Sequence, residues 1–457
     1  MSRYPSETRT LLGAQLVFNL GFYAVIPFLA GAMGGDYGLD AAAVGLVLGA
    51  RTFSQQGMFL FGGLLADRWG ARRAILTGCL VRIAGYATLA AASDFTLFLL
   101  GAVLTGAGGA LFSPALESQL SYADRSRQVP RTSRTPSNAD GRKGGRSVFV
   151  WLAITGEIGA LLGPLLGAAL LGWGFDAALA AGIAVFAAVT ILLWFRLPAD
   201  VPVRRPQEGE AEVEARRPGD ALACLRNRRF VAFCLLASTS MLAYNQLYFA
   251  FPLELGRRGL ESSWLAVLFL TASVMTLLLQ LPVAAMGQRI GPGRAVSVGF
   301  LLMASAMGIT ALTAVAAGTR SEASGWDAQG AGPAIAGVPH AAVLMVCIVG
   351  VLMLGHMLIR PTVLALIPSF IPESAGAGAG RGAYYGLSAT CGGVAVLAGN
   401  ALLGWLLDLT DRHHWWPGTP WLPLIALALL AALLLPKLLH GSHPALRHPE
   451  SARRTRQ

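Results

Sequence analysis

Six titratable side chains, Arg51, Arg82, Glu117, Glu157, His356 and Arg360, lie inside long apolar stretches of the sequence. A charge at the centre of a bilayer costs about 2.5–3.5 kcal/mol on insertion scales, so each needs a partner or a task. At about 1.5 Å of rise per residue, Glu157 lies roughly 15 Å into its run and Arg82 roughly 12 Å into its own. Arg51 falls near the middle of a third run. Similar depth predicts an ion pair or triad among Glu157, Arg51 and Arg82. Such a group either holds its bundle together statically or opens when Glu157 takes up a proton. Protonating a carboxylate removes its hold on a cation and changes which packing is preferred. Glu157 is therefore the leading proton-coupling candidate and Glu117 the next.

Arg360 and His356 are one helical turn apart and share a face. Across a cavity, Arg360 and Glu117 would face each other. His356 would either titrate there or serve as a plain polar wall. Gln15, Asn19 and Tyr23 recur every four residues and so line one helical face. Tyr244, Asn245, Gln246, Tyr248 and Phe249 cluster in a later run. Aromatic rings with a few amides suit a pocket for flat or lipophilic molecules; hydrogen bonding between helices is the equal alternative. Asn19, Tyr23, Tyr244, Asn245, Tyr248 and His356 are the substrate-cavity candidates. Arg51, Gln55 and Gln56 are expected to make contacts between halves.

The elements that must position these residues are membrane spans. The 457 residues are 54% hydrophobic and only 13% charged, against about 25% charged in soluble domains. A helix needs about 20 apolar residues to cross the hydrocarbon. Runs of that kind fall near 10–33, 42–66, 74–92, 95–121, 147–171, 176–196, 229–253, 264–287, 294–317, 340–368, 382–406 and 420–436. The first follows MSRYPSETR and has the look of a signal peptide, but its length and the later spans favour a retained helix. Both termini are expected in the cytoplasm. That choice leaves only Arg257, Arg258, Arg320 and Arg412 outside, as positive residues resist translocation. The net charge of +11 sits in short segments between spans, which argues against nucleic acid.

The predicted organisation is an N-terminal bundle over 1–197 with a flexible basic loop at 123–146, a charged linker at 198–228, a second bundle over 229–437, and a basic tail at 438–457. The two bundles repeat each other. DRWGARRA at 67–74 matches QRIGPGRA at 288–295, GGALFSPAL at 108–116 matches GHMLIRPTV at 355–363, and GGRSVF at 144–149 matches AGRGAY at 379–384. Each pair falls at an equivalent point of the six-plus-six layout. Arg360 thereby takes the place of Ser113.

The charges Asp67, Arg68, Arg72 and Arg73 follow a greasy run and bunch on a tight turn that Gly70 permits. Asp67 can accept hydrogen bonds from a neighbouring helix end or pair with an arginine across the halves, a contact that closes one face. Cys79, Cys224, Cys234, Cys347 and Cys391 are scattered and make neither a disulfide framework nor a metal site. No GxxxxGK[ST], GxSxG or HExxH motif occurs, so no enzymatic activity and no cofactor is expected.

The stretch Gly63, Ala66, Asp67, Arg68, Gly70 and Arg72 resembles the loop 2–3 signature of the major facilitator superfamily. Gly159, Gly163, Pro164 and Gly167 resemble the span 5 motif of its proton-coupled antiporters. Residues 44–112 and 381–409 are similar to the MdtH-type bacterial multidrug-resistance transporters. The resemblance covers most of the chain except 123–146 and 318–339, which read as insertions. It implies an all-α membrane protein of twelve helices in two pseudo-symmetric six-helix bundles. It also implies alternating access and export of small lipophilic or cationic compounds, driven by a proton gradient across the plasma membrane. The partners would be the lipid bilayer, a small-molecule substrate and protons, with the chain acting as a monomer. Three departures stand out: Ala71 where a basic residue is usual, Val150 where a glycine is usual, and no acid in span 1. A carrier of one metabolite or sugar is the alternative, and a non-transporting receptor or scaffold the next. The glycine stripe of span 5 is expected to pack against the opposite half, with Glu157 turned to its own bundle or the cavity.

Overall fold

A computed structural model describes residues 5–59, 65, 69–128, 148–197, 223–314, 334–335, 338–371 and 381–440. The chain forms α1 (Ser6–Gly35), α2 (Ala41–Gln56), α3 (Ala71–Ala90), α4 (Phe95–Gln128), α5 (Val148–Leu171) and α6 (Phe175–Arg196). After one helical turn at Ala223–Arg226 come α7 (Arg228–Asn245), α8 (Ala250–Arg257), α9 (Ser263–Ile290), α10 (Pro292–Leu312), α11 (His340–Leu366), α12 (Arg381–His413) and α13 (Leu422–His440). Among the described residues, eleven helical stretches are long and apolar enough to cross a membrane, with α7 and α8 counted as one. The predicted second span is described as helix over Ala41–Gln56; residues 60–64 and 66–68 lie outside the described residues. The only strands among them are the two-residue pair Ala334–Ile335 and Val338–Pro339.

Local chemistry sets several helix ends. The Asp40 carboxylate accepts from the backbone N–H of Ala43 at 2.8 Å, and the Asp94 carboxylate from Leu97 at 2.9 Å. Asn227 caps α7 by accepting from Phe230. Pro252 explains why α7 and α8 are separate. It has no N–H to donate, and its ring would crowd the carbonyl four residues back. The chain turns through residues 246–249 instead. The predicted loop at 123–146 begins later than expected, because α4 continues to Gln128; residues 129–147 lie outside the described residues.

The two repeated halves share their close contacts. Gly70 and Gly291 open α3 and α10 with φ of 92° and 86°, conformations that only glycine takes up cheaply. Gly78 of α3 crosses Gly108 of α4, and Gly299 of α10 crosses Gly355 of α11, each against the other's carbonyl. Small residues at such crossings let backbones approach where lipid offers no hydrophobic drive. Pro114 and Pro361 then lie at matching places inside α4 and α11. In the first half, Phe18 stacks on Phe112 at 3.9 Å and meets Phe186 edge-on. In the second, Phe230, Phe233, Phe370 and Tyr384 form an aromatic cluster of their own.

The halves meet along α2 and α12, and along α5 and α9. We call the side where α1 begins the start face and the opposite side the far face. Gly45 lies against the backbone of Asn400, Gly49 against Leu397, and Gly404 against Ala41.

Candidate functional site: an aromatic layer above two carboxylates and an arginine

α1, α7, α9 and α11 bring aromatic rings together at the middle of the molecule. Tyr23 stands 6.4 Å from Tyr248 and 6.1 Å from Phe269, centre to centre. Tyr248 meets Phe269 at 5.0 Å and Tyr244 at 6.2 Å. His356 stacks on Tyr244 at 4.4 Å, and its Nδ1 is buried without a hydrogen-bond partner. Phe22 joins the layer through Tyr23 and Tyr248. Toward the far face, residues 24–30 of α1 are buried, as are most of residues 245–255.

Toward the start face lie the charged groups. Glu117 and Arg360 are exposed and Glu157 is half-buried. The positive charge of Arg360 acts on both Glu157 and Glu117, and it also reaches Tyr23 and Tyr244. Among the described residues Arg360 forms no ion pair with either carboxylate; the arginine of one half acts on the two carboxylates of the other through space. Nothing in the spacing of Glu157 and Arg360, some two hundred positions apart, reveals this directly; only their matching depth hints at it.

The expected triad of Glu157, Arg51 and Arg82 does not form. Arg82 is 1% exposed and donates Nε and Nη2 to the Thr105 carbonyl at 3.2 and 3.0 Å. Its guanidinium lies over the Phe18 ring at 4.2 Å. Arg51 donates to the Gln55 side chain and lies 4.4 Å over Phe22. Ring faces and local acceptors thus hold both cations, while Arg51 Nε and Arg82 Nη1 stay buried without a hydrogen-bond partner among the described residues. Arg51 and Gln55 accordingly serve the inside of their own half; Gln56 is the one that faces α12, near Gly393.

The span 5 glycines also differ from expectation. Gly159, Gly163 and Gly167 pack on α1, against Leu16, Asn19, Tyr23 and Ala24, within the same half. Asn19 donates to the Gly156 carbonyl at 3.0 Å, and Gln15 donates to Asn19. Asn19 is thus engaged in docking α1 on α5. Pro164 lies inside α5 between these crossings.

Asn245 does not line the cavity with Tyr244 and Tyr248. It is buried between the halves, donating to Thr52 Oγ1 at 3.3 Å and accepting from Asn400 at 2.9 Å. Gln246 donates to Asn400 Oδ1 at 3.1 Å. Nothing in the sequence reading singled out Asn400; an amide inside an apolar run was the available signal.

Of the loop residues, Gly63, Asp67 and Arg68 lie outside the described residues. Arg72 donates to the Trp194 carbonyl at 2.7 Å and lies 5.8 Å over its ring, tying the start of α3 to the end of α6. At the far face, Arg257 pairs with Asp411 at 2.6 Å and Arg258 with Glu254 at 2.8 Å. A cleft of about 450 Å³ opens there between α1 and α8, lined by Phe28, Asp36, Leu253 and Leu265 among others.

Two pseudo-repeated helical bundles, closed at one face around a central aromatic layer, define a multi-pass membrane protein of the carrier type. The chain belongs to the Major Facilitator Superfamily, whose model matches residues 11–123 and 142–380. An uncharacterized MFS-type transporter of Mycobacterium tuberculosis is 34% identical over 250 residues, but the match spans only 54% of either chain. Multidrug resistance protein MdtH of Aeromonas salmonicida is 26% identical over 439 residues, covering 96% of this chain and 95% of that one. Among solved structures, the nucleoside transporter NupG superposes with a TM-score of 0.72 at 14% identity, over 95% of this chain and 99% of that one. An auto-inhibited POT family peptide transporter gives 0.70 at 16% identity, over 97% and 99%. At such identities these structures speak for the fold alone.

Proposed function

We infer that the chain is a twelve-helix secondary transporter of the bacterial plasma membrane, with the start face and both termini in the cytoplasm. It exports small lipophilic or cationic compounds in exchange for protons, by alternating access, as a monomer without a cofactor. The observation that carries this reading is the central aromatic layer of Tyr23, Tyr244, Tyr248, Phe269 and His356, with Glu157 and Glu117 on its start-face side under the charge of Arg360. A cation entering beside the tyrosines competes with Arg360 for the carboxylates. A proton taken up by Glu157 releases both. Rings of Tyr23, Tyr244 and Tyr248 offer faces to a flat or cationic guest. The full-length similarity to MdtH supports the choice of multidrug compounds.

Inside-out vesicles with a respiration-driven pH gradient test it. Lipophilic cations and antibiotics are added to vesicles holding the wild type or Glu157→Gln. Collapse of the gradient by a compound with the wild type alone supports proton-coupled export through Glu157. Equal responses return Glu157 to a structural role. A wild type that answers to no compound favours the second reading, a carrier for a single metabolite. That reading draws on α1, whose residues Gln15 and Asn19 are spent on helix docking and whose apolar run over 10–33 holds no acid.

A further inference from the structure

At the far face, Asp408 of α12 reaches across the interface between the halves to the first turn of α2. Its two carboxylate oxygens accept from two successive backbone N–H groups: Oδ1 from Ala41 at 2.9 Å and Oδ2 from Ala42 at 2.8 Å. Asp40 already takes the N–H of Ala43. Three of the four orphan donors that open a helix are thus held by carboxylates, two of them by an acid of the other half. One turn earlier on α12, Gly404 lies against Ala41 and Ala42 so closely that no side chain fits. That approach brings Asp408 within reach. Asp411, one turn beyond, is engaged by Arg257 at the end of α8. The pair ties α12 to its own half and leaves Asp408 to α2.

We propose that Asp408 is the latch that holds the far face shut, a positioning residue for alternating access that acts through the N-terminus of α2. Charge-assisted bonds to backbone N–H groups are about twice as strong as neutral ones, and the positive end of the helix dipole favours the carboxylate. Opening the far face must separate Asp408 from Ala41 and Ala42, because the acid rides on α12 and its donors on α2. The donors then turn to water. The contact therefore stabilises states in which the far face is closed and is lost in those open there. The inference rests on membership of a transporter superfamily and not on any substrate.

The test is a distance measurement on the full chain in lipid nanodiscs. Spin labels are placed at Trp173 and Trp415, which are exposed at the far face on opposite halves, with the native cysteines replaced by serine. Asp408→Ala is expected to raise the population at longer label separation at least threefold. Ala41→Pro provides the second variant. It removes the donor to Oδ1 at the first helical position, where proline is tolerated. It is expected to shift the distribution the same way, and the double variant no further than Asp408→Ala alone. Asp408→Glu should restore part of the closed population. A merely structural role would lower the melting temperature of these variants and leave the distance distribution in place. An unchanged distribution in Asp408→Ala, or in a folded Ala41→Pro, overturns the proposal.

Discussion

The guanidinium of Arg82 lies 4.2 Å from the centre of the Phe18 ring and 5.4 Å from those of Phe22 and Phe186. Among the described residues, no carboxylate stands within ion-pair distance of it. A buried cation in a membrane protein is therefore held by ring faces and one backbone carbonyl. A double-mutant cycle between Arg82→Ala and Phe18→Ala should return a coupling of about 2 kcal/mol, the size expected of a desolvated cation–π pair. The check is reversible unfolding in mixed micelles. A coupling near zero would leave the Thr105 carbonyl and the Phe22 and Phe186 rings as the supports of Arg82.

Arg360 is the cation whose charge acts on Glu117 and Glu157. Arg360→Ala should cut proton-coupled transport at least tenfold at unchanged membrane abundance. Arg360→Lys, which keeps the charge but not the planar fork, should retain part of it. Transport in the vesicle assay, normalised to protein quantity, decides between them. Equal activity in all three forms would remove Arg360 from the coupling machinery.

Asn245, Asn400 and Thr52 form a buried polar chain across the halves. Polar pairs inside membrane proteins couple by about 0.6 kcal/mol on average and by up to about 1.7 kcal/mol. The Asn245→Ala and Asn400→Ala cycle should fall in that window when unfolding is followed in micelles. Values outside it, near zero, would mean that each amide is satisfied elsewhere.

Two glycines, one capping α10 and one inside it, should respond with opposite signs. Gly291→Ala forces a side chain onto a backbone at φ 86° and should cost about 1–2 kcal/mol. Gly308 lies inside the same helix, and an added Cβ meets nothing within 4 Å. Gly308→Ala should stabilise the protein by about 0.4–1 kcal/mol by restricting the unfolded chain. Thermal unfolding of the two variants beside the wild type checks both signs at once.

The spans were legible in the sequence because the bilayer leaves one solution to a run of apolar residues: a helix with every backbone group satisfied within itself. The described helices fall close to the apolar runs, and the glycine crossings recur in both halves. The break in the seventh span was not anticipated, although Pro252 is its visible cause. The candidate site was read more coarsely. Depth along a helix was enough to group Glu157, Arg51 and Arg82, but depth says nothing about which way a side chain points. Helix rotation separated them. It turned Arg51 and Arg82 onto Phe22 and Phe18, away from Glu157. The same rotation set the glycines of α5 against α1 and carried Asn245 away from Tyr244 into the interface.

The sequence by itself determined the class of protein, the helices and the repeat, since these follow from hydropathy and local spacing along one chain. Only the tertiary structure decided who meets whom between helices. Tyr244 with His356, Asn400 with Asn245, and Asp408 with the first turn of α2 each join distant segments. Their meeting depends on how rigid helices rotate and cross when small residues let their backbones touch.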